Sequence, residues 1–143
     1  MYPQPDQSPS AGMTFAHLLE RVRYDGAYPT RQRAEEVVRA VLTALGGQLA
    51  DEDRLALAAC LPAEAARAIT SQPSDPEVLN GWGFVNELAA RTGGTPATTR
   101  WDTGAVLTTV AHLAGDALLD RILTRLPSGY ALLFGRAELT QAA

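Results

Sequence analysis

The chain has 143 residues, an apolar fraction of 46% and a formal net charge of −4. This length fits one domain or two small halves with a shared core, and the negative charge disfavours broad, non-specific binding to nucleic acid. The single cysteine, Cys60, has no partner for an intramolecular disulfide or a cysteine-based metal cluster, and no apolar run approaches the roughly 20 residues of a membrane span.

The chain is predicted to begin with a polar tail and to be helical after it. Residues 1–12 contain three prolines and lack the basic and apolar segments of a signal peptide, so we expect a disordered tail and a cytoplasmic protein. Beyond the tail, much of the apolar content is Ala and Leu, which favour helix before any pattern is considered. All twelve basic residues are Arg, which together with the abundant Ala is typical of a GC-rich bacterial genome.

Two helices are predicted after the tail. Thr14 is a suitable N-cap for the first, which we expect to break at Asp25-Gly26. Thr30 is a suitable N-cap for the second, in which apolar residues recur at helical spacing over residues 34–45. We expect Gly46-Gly47 to end the second helix, because glycine is the commonest residue just beyond a helix C-terminus.

Two shorter helices and a connection are predicted next. The acidic residues Asp51-Glu52-Asp53 are placed to begin a third helix, where negative charge complements the helix dipole. Pro62 fits the first turn of a short fourth helix. Residues 71–79 are rich in Pro, Ser and Asp, and this composition predicts a linker.

The remaining chain is predicted to hold four more helices. Asn80 caps the first of these, and the connection at Gly93-Gly94 leads to a long helix. Gly115-Asp116 ends the long helix and begins the next, and Pro127 opens a last short helix. Residues 136–143 are predicted to be a polar C-terminal tail.

Two segments match across the chain at a constant offset. Ala40-Val41-Leu42 matches Ala105-Val106-Leu107, and Leu61-Pro62 matches Leu126-Pro127, both with an offset of 65 residues. Phe15 matches Phe84 with an offset of 69, which indicates a few fewer residues early in the second copy. Two matches in register favour duplication over chance similarity of amphipathic helices.

The predicted fold class is therefore all-α, with about eight helices in a compact bundle. Residues 13–70 form the first helical repeat and residues 80–135 the second. Each repeat is too small to be stable alone, so we expect their apolar faces to pack together with pseudo-two-fold symmetry.

The order of helix and turn signatures resembles a known family. The residues that carry the resemblance are Phe15-x-x-x-Leu19-Glu20-Arg21-Val22, Arg33-Ala34-Glu35 with Arg39-Ala40-Val41-Leu42, Gly115-Asp116, the two Leu-Pro junctions and Tyr130-x-x-Leu133-Phe134. Over residues 14–135 the chain resembles the bacterial family catalogued as domain of unknown function number 2267. This resemblance implies an all-α duplicated domain. It provides no activity, cofactor or catalytic residue that could be assigned to the chain. The chain departs from the family at residues 50–53, where the family tends to have Gly-Gly-Glu.

No residue pattern singles out a reaction, so we expect no enzymatic activity, no cofactor and no metal site. His17 and His112 have no metal-binding partner at the usual helical spacing, and both are interpreted as helix-surface or boundary residues. Cys60 is interpreted as a small apolar residue. The acidic run at residues 51–53 lacks the spacing of a calcium loop, and Gly93-Gly94 lacks the lysine of a phosphate loop.

The candidate interaction surface rests on residue types that are enriched at protein interfaces. It comprises Trp82, Trp101, Tyr24, Tyr28, Arg31 and Arg33. For the two tryptophans, the alternative interpretation is that they cover the edges of the core. We expect a non-enzymatic helical module that binds another protein or itself. The alternative is a regulator that binds a small molecule or nucleic acid in the groove between the repeats. Nucleic acid is disfavoured, because Asp and Glu residues dilute the one basic region, which comprises Arg21, Arg23, Arg31, Arg33 and Arg39.

Overall fold

The computed structural model describes residues 13–136, which form eight α-helices and no strand. The predicted all-α bundle of about eight helices is confirmed over this range. The predicted tail at residues 1–12 lies outside the described residues, as do residues 137–143 of the predicted C-terminal tail. In chain order the helices are α1 (Phe15–Gly26), α2 (Arg31–Gln48), α3 (Asp51–Ala58), α4 (Ala63–Ile69), α5 (Gly81–Thr92), α6 (Pro96–Ala114), α7 (Asp116–Arg125) and α8 (Tyr130–Leu133).

The two longest helices, α2 and α6, pack against each other at the centre of the bundle. Helix α2 also contacts α1, α4 and α5, and α6 also contacts α1, α5, α7 and α8. Their facing residues are fully buried, and one continuous apolar core joins all eight helices. Hydrophobic burial at this shared core is the main stabilising contribution to the fold. None of the helices within residues 13–136 is long and apolar enough to cross a membrane.

Local capping residues fix where the helices begin, as the sequence predicts. The side chains of Thr14, Thr30 and Asn80 each accept a hydrogen bond from the backbone N–H three residues ahead. Thr95 and Thr98 form a reciprocal capping box at the start of α6. At the boundary between α6 and α7, Gly115 adopts a positive φ of 84°, which confirms the predicted break there.

The predicted helix stop at Gly46-Gly47 is wrong, because α2 continues through both glycines to Gln48. Gly46 lies where α2 meets the end of α4, and a Cβ placed on it would be 2.0 Å from the carbonyl oxygen of Ile69. Glycine is therefore required at residue 46 for a close approach of two backbones, and its conformational freedom is not used.

Residues 71–79 have no helix but are attached to the end of α2. The backbone N–H of Asp75 donates to the carbonyl of Gly47 at 2.7 Å. The buried side chain of Gln48 donates to the Asp75 carboxylate at 2.9 Å and accepts from the N–H of Leu79 at 2.6 Å. These bonds hold the connection against the bundle.

Replacing Gln48 with Ala should destabilise the protein by about 1–3 kcal/mol, because the variant removes the buried partner of the Leu79 N–H and the Asp75 carboxylate. Urea unfolding would measure this change. Hydrogen exchange at the amides of Asp75 and Leu79 should accelerate more than exchange at the buried amides of α6. The matched control is Gln32→Ala on the exposed face of the same helix, which should change stability by less than about 0.5 kcal/mol. Equal effects of the two variants would contradict the anchoring role of Gln48.

Candidate functional site

Two of the predicted surface aromatics lie at the same place, where α6 crosses the end of α1. Tyr24 is 81% exposed and Trp101 is 57% exposed. The indole Nε1 of Trp101 donates to the carbonyl of Gly26 at 2.9 Å, which attaches this part of α6 to the last turn of α1. Only Asp25 separates Tyr24 from Gly26, so Tyr24 lies in the same last turn of α1 that Trp101 contacts.

Trp82 is not part of this cluster. It is 67% exposed and lies in the first turn of α5, beside Gly129 at the start of α8. Trp101 lies in the second turn of α6, just after the short α5–α6 connection. The two tryptophans therefore occupy opposite ends of the α5–α6 hairpin, and the structure separates candidates that sequence reasoning had grouped.

A shallow groove of about 430 Å³ runs between α1 and α6, and we call it the α1–α6 groove. Trp101 forms one wall, and the ion pair between Arg21 and Asp25 forms part of the other, with 3.0 Å between Nε and Oδ2. The complete lining is Arg21, Asp25, Arg100, Trp101, Gly104, Ala105 and Thr108. Arg100 belongs to this groove and was not among the predicted surface residues.

Tyr28 is only 9% exposed, so it offers little area for contact with a partner. Its ring covers Gly26, and its hydroxyl donates to Oδ1 of Asp102 on α6. Burial, together with the adjacent Asp102 carboxylate, raises the pKa of Tyr28 above its ordinary value. The hydroxyl therefore remains protonated at neutral pH and acts as a fixed donor to Asp102.

The basic region predicted on α1 and α2 is neutralised by neighbouring acids. Arg31 pairs with Glu20 at 2.9 Å, and Arg33 pairs with Glu36 at 3.0 Å. The other three arginines of this region are also paired: Arg21 with Asp25, Arg23 with Glu20 and Arg39 with Glu35. Exposed pairs of this kind contribute little stability, but they leave no continuous positive face in the described part of these helices.

A larger cavity of about 610 Å³ lies where α2 faces the α5–α6 connection, and we call it the α2–α6 cavity. Its volume is within the range of roughly 300–1,000 Å³ that is typical of small-molecule sites. Trp101 lines this cavity as well as the groove. The lining residues are Arg33, Glu36, Val37, Ala40 and Val41 from α2, Leu88 and Thr92–Gly94 from the end of α5, and Thr98, Thr99, Trp101 and Asp102 from α6.

Sequence reasoning missed Asp102, although the sequence holds a signal for it. Asp102 precedes Val106 and Val110 at intervals of four, so it lies on the stripe of α6 that faces the core. A carboxylate on an apolar stripe requires a partner, and Tyr28 supplies it from 74 residues away.

Asp53 is a second buried carboxylate. It is 1% exposed, and its Oδ1 lies 3.6 Å from Nε of Arg121 and 3.8 Å from Nη1 of Arg125. Asp53 lies in the predicted acidic first turn of α3, but it also ties α3 to α7. Arg121 and Arg125 therefore have a structural role on α7.

The remaining candidates do not form a reactive cluster in the part of the chain that the structure describes. His17 and His112 are both exposed on helices, and Cys60 is half-buried with its thiol directed at the carbonyl of Ala56. Within residues 13–136, no group of three His, Cys, Asp or Glu side chains is placed to hold a metal ion.

Comparison with known proteins gives one family. Residues 15–133 match the family described as uncharacterized conserved protein, DUF2267. No curated protein matches the chain.

Proposed function

The chain belongs to the DUF2267 family, and we propose that it is a non-enzymatic helical module that binds another protein or a second copy of itself through the α1–α6 groove. One observation carries this proposal: an exposed Trp and two Arg side chains line a single groove, and the exposed Tyr24 lies on α1 between the lining residues Arg21 and Asp25. Trp, Tyr and Arg are the residues that most often dominate binding energy at protein interfaces.

The exposure of Tyr24 and Trp101 supports a binding role over a packing role. The chain has only nine aromatic residues, and four of the eight in the described range are buried in the core. Trp101 is held in position by its bond to Gly26, so less conformational entropy is lost when a partner covers its ring.

The groove also suits a protein better than nucleic acid. Arg21 is paired with Asp25, so Arg100 is the main positive charge of the lining. Affinity for a phosphate backbone depends on several cationic contacts. A protein surface with one acidic residue opposite Arg100 and an apolar patch opposite Trp101 would complement the groove.

The duplication predicted from the sequence is part of this proposal. The first two helices of each half have capping residues at nearly constant spacing: the N-caps Thr14 and Asn80 differ by 66 positions, and Thr30 and Thr95 by 65. Ala27 and Gly93, which adopt the left-handed conformation at the ends of α1 and α5, also differ by 66. This register replaces the offset of 69 taken from Phe15 and Phe84. Under it, Tyr24 corresponds to Ala90 and Trp101 to Glu36, so neither aromatic residue is repeated in the other half.

Self-association and partner binding are tested by variants of the groove. In sedimentation velocity over a range of concentrations, Tyr24→Ala and Arg100→Ala should weaken any dimer by at least about tenfold. In affinity purification from the native host, the same variants should recover at least about tenfold less of a bound partner than the wild type. Trp82→Ala is the matched control, because it removes an exposed aromatic residue at the opposite end of the α5–α6 hairpin from Trp101. The proposal fails if the wild-type chain is monomeric and retains no partner, or if Trp82→Ala has the larger effect.

The α2–α6 cavity favours a second candidate function, the binding of a small molecule. The cavity has an apolar floor and a few polar side chains near its mouth, the usual composition of a ligand site. A regulator of this type would couple ligand binding to the neighbouring groove, because Trp101 lines both.

A further inference from the structure

We propose that the α2–α6 cavity binds a small organic cation, a protonated amine with an apolar body. This inference rests on the second proposed function, small-molecule binding in the same cavity. The amine is recognised by Asp102 and by the indole of Trp101, and the apolar body lies against α2 and α5.

The two helix ends that carry a left-handed residue differ in the residue that comes next, and one of them lines the cavity. After the left-handed residue Ala27, which ends α1, the next residue is Tyr28, whose ring fills the space beside α6. After the left-handed residue Gly93, which ends α5, the next residue is Gly94, which has no side chain. Gly94 lines the cavity and adds no side chain to it.

The charges of the cavity favour a cation. Arg33 and Glu36 neutralise each other at 3.0 Å, so they contribute little net charge. Asp102 lies in the lining and forms no ion pair among the described residues. The hydrogen bond that it accepts from Tyr28 comes from a neutral hydroxyl and leaves its charge uncompensated. The cavity lining therefore carries a formal charge of about −1, and a partly buried carboxylate attracts a cation more strongly than an exposed one.

The helix ends around the cavity agree with this preference. The C-terminal end of α5, at Thr92–Gly94, lines the cavity and carries the negative end of the helix dipole. The N-terminus of α6 also contributes to the lining, but Pro96 has no N–H, and the N–H groups of Thr95 and Thr98 donate to the capping-box side chains. An anion would therefore find few free donors at that end.

The remaining walls suit an apolar body of moderate size. Val37, Ala40, Val41 and Leu88 form the floor, and Trp101 stands at the edge. An ammonium group over an indole face is attracted by the negative face of the ring, and the attraction strengthens as the ammonium is removed from water. A charge-assisted hydrogen bond to Asp102 adds direction to this attraction.

The test compares three probes that share a phenyl body and differ in the head group. Phenylethylammonium chloride, 2-phenylethanol and sodium phenylacetate are titrated into the full chain labelled with ¹⁵N. The ammonium should bind with a dissociation constant of about 1 mM or tighter, at least about tenfold tighter than either of the others. Its binding should shift the amide signals of Gly93 and Gly94 and the indole signal of Trp101, while the indole signal of Trp82 serves as an internal reference.

Two variants assign the effect to the cavity. Asp102→Asn keeps an oxygen for the Tyr28 hydroxyl but removes the charge, so ammonium affinity should fall at least about tenfold. The matched control, Asp116→Asn, removes an exposed carboxylate on α7 and should leave the affinity unchanged. Ala40→Leu should abolish binding by filling the floor of the cavity. This variant tests the site independently if Asp102→Asn does not fold.

Two negative results have different meanings. The cation preference is wrong if 2-phenylethanol or phenylacetate binds the cavity as tightly as the ammonium. It is also wrong if Asp102→Asn binds the ammonium as tightly as the wild type does. In both cases the cavity is still a ligand site. If no probe shifts the cavity signals at about 10 mM, both the cation inference and the second proposed function fail.

Discussion

Replacing Gly46 with Ala should destabilise the protein by about 2–4 kcal/mol, although Ala is the better helix former by roughly 1 kcal/mol. The reason is steric, because the added Cβ would lie 2.0 Å from the carbonyl oxygen of Ile69. This atom belongs to the backbone of α4 and cannot rotate away. The helices α2 and α4 would have to separate, and the apolar contacts between them, including those of Leu45 and Ile69, would loosen.

The matched control for this variant is Gly104→Ala in α6, the other long helix. A Cβ at residue 104 meets only the end of the Arg100 side chain, at 3.6 Å. With space available, helix propensity decides the result, and Gly104→Ala should stabilise the protein by about 0.5–1 kcal/mol. Urea unfolding of both variants measures the difference in sign. If Gly46→Ala proved neutral or stabilising, the close contact between α2 and α4 would be refuted.

Replacing Arg54 with Met should cost about 3–4 kcal/mol and lower the melting temperature by roughly 10 °C. Arg54 is largely buried, and its Nη1 donates to the carbonyls of Gly46 and Leu49 at 3.0 and 3.4 Å and to the hydroxyl of Ser74 at 3.0 Å. Its Nη2 pairs with Asp51. Met preserves much of the apolar stem, so the loss reports mainly on the hydrogen bonds that Arg54 donates at the C-terminal end of α2.

An exposed arginine gives the comparison for Arg54. Arg91 pairs with Glu87 at 3.4 Å, and both side chains are more than half exposed. Arg91→Met should therefore change the free energy of unfolding by less than about 0.5 kcal/mol, since exposed pairs are well screened by water and salt. Thermal unfolding monitored by circular dichroism measures both variants. A loss for Arg54→Met no larger than that for Arg91→Met would show that the end of α2 is stabilised by other contacts.

The candidate site was predictable in its residue types and only partly in its arrangement. Tyr24 and Trp101 could be named because aromatic residues off the apolar stripe stand out in a helical sequence. Their proximity, and the separate location of Trp82, could not be inferred, because the crossing of α1 and α6 joins residues 75 positions apart. The α2–α6 cavity could not be predicted either, because its lining residues come from three helices and the connection at Gly93-Gly94.

The sequence by itself determined the helices and most of their starts. Thr14, Thr30, Asn80 and Gly115 mark helix ends because capping and positive φ depend on interactions within a few residues. Apolar spacing likewise identified the buried face of α2, because the helical period is a local property.

Only the tertiary structure decided what several of these residues do. Gly46 is a contact point and not a helix stop, Tyr28 is a buried donor and not a surface aromatic, and Asp53 ties α3 to α7. In each case the deciding partner lies on a helix distant in sequence, and a buried polar or backbone group takes its role from that partner. Local patterns fix which segments are helical, whereas the packing of α2 and α6 fixes which side chains meet and where a cavity remains.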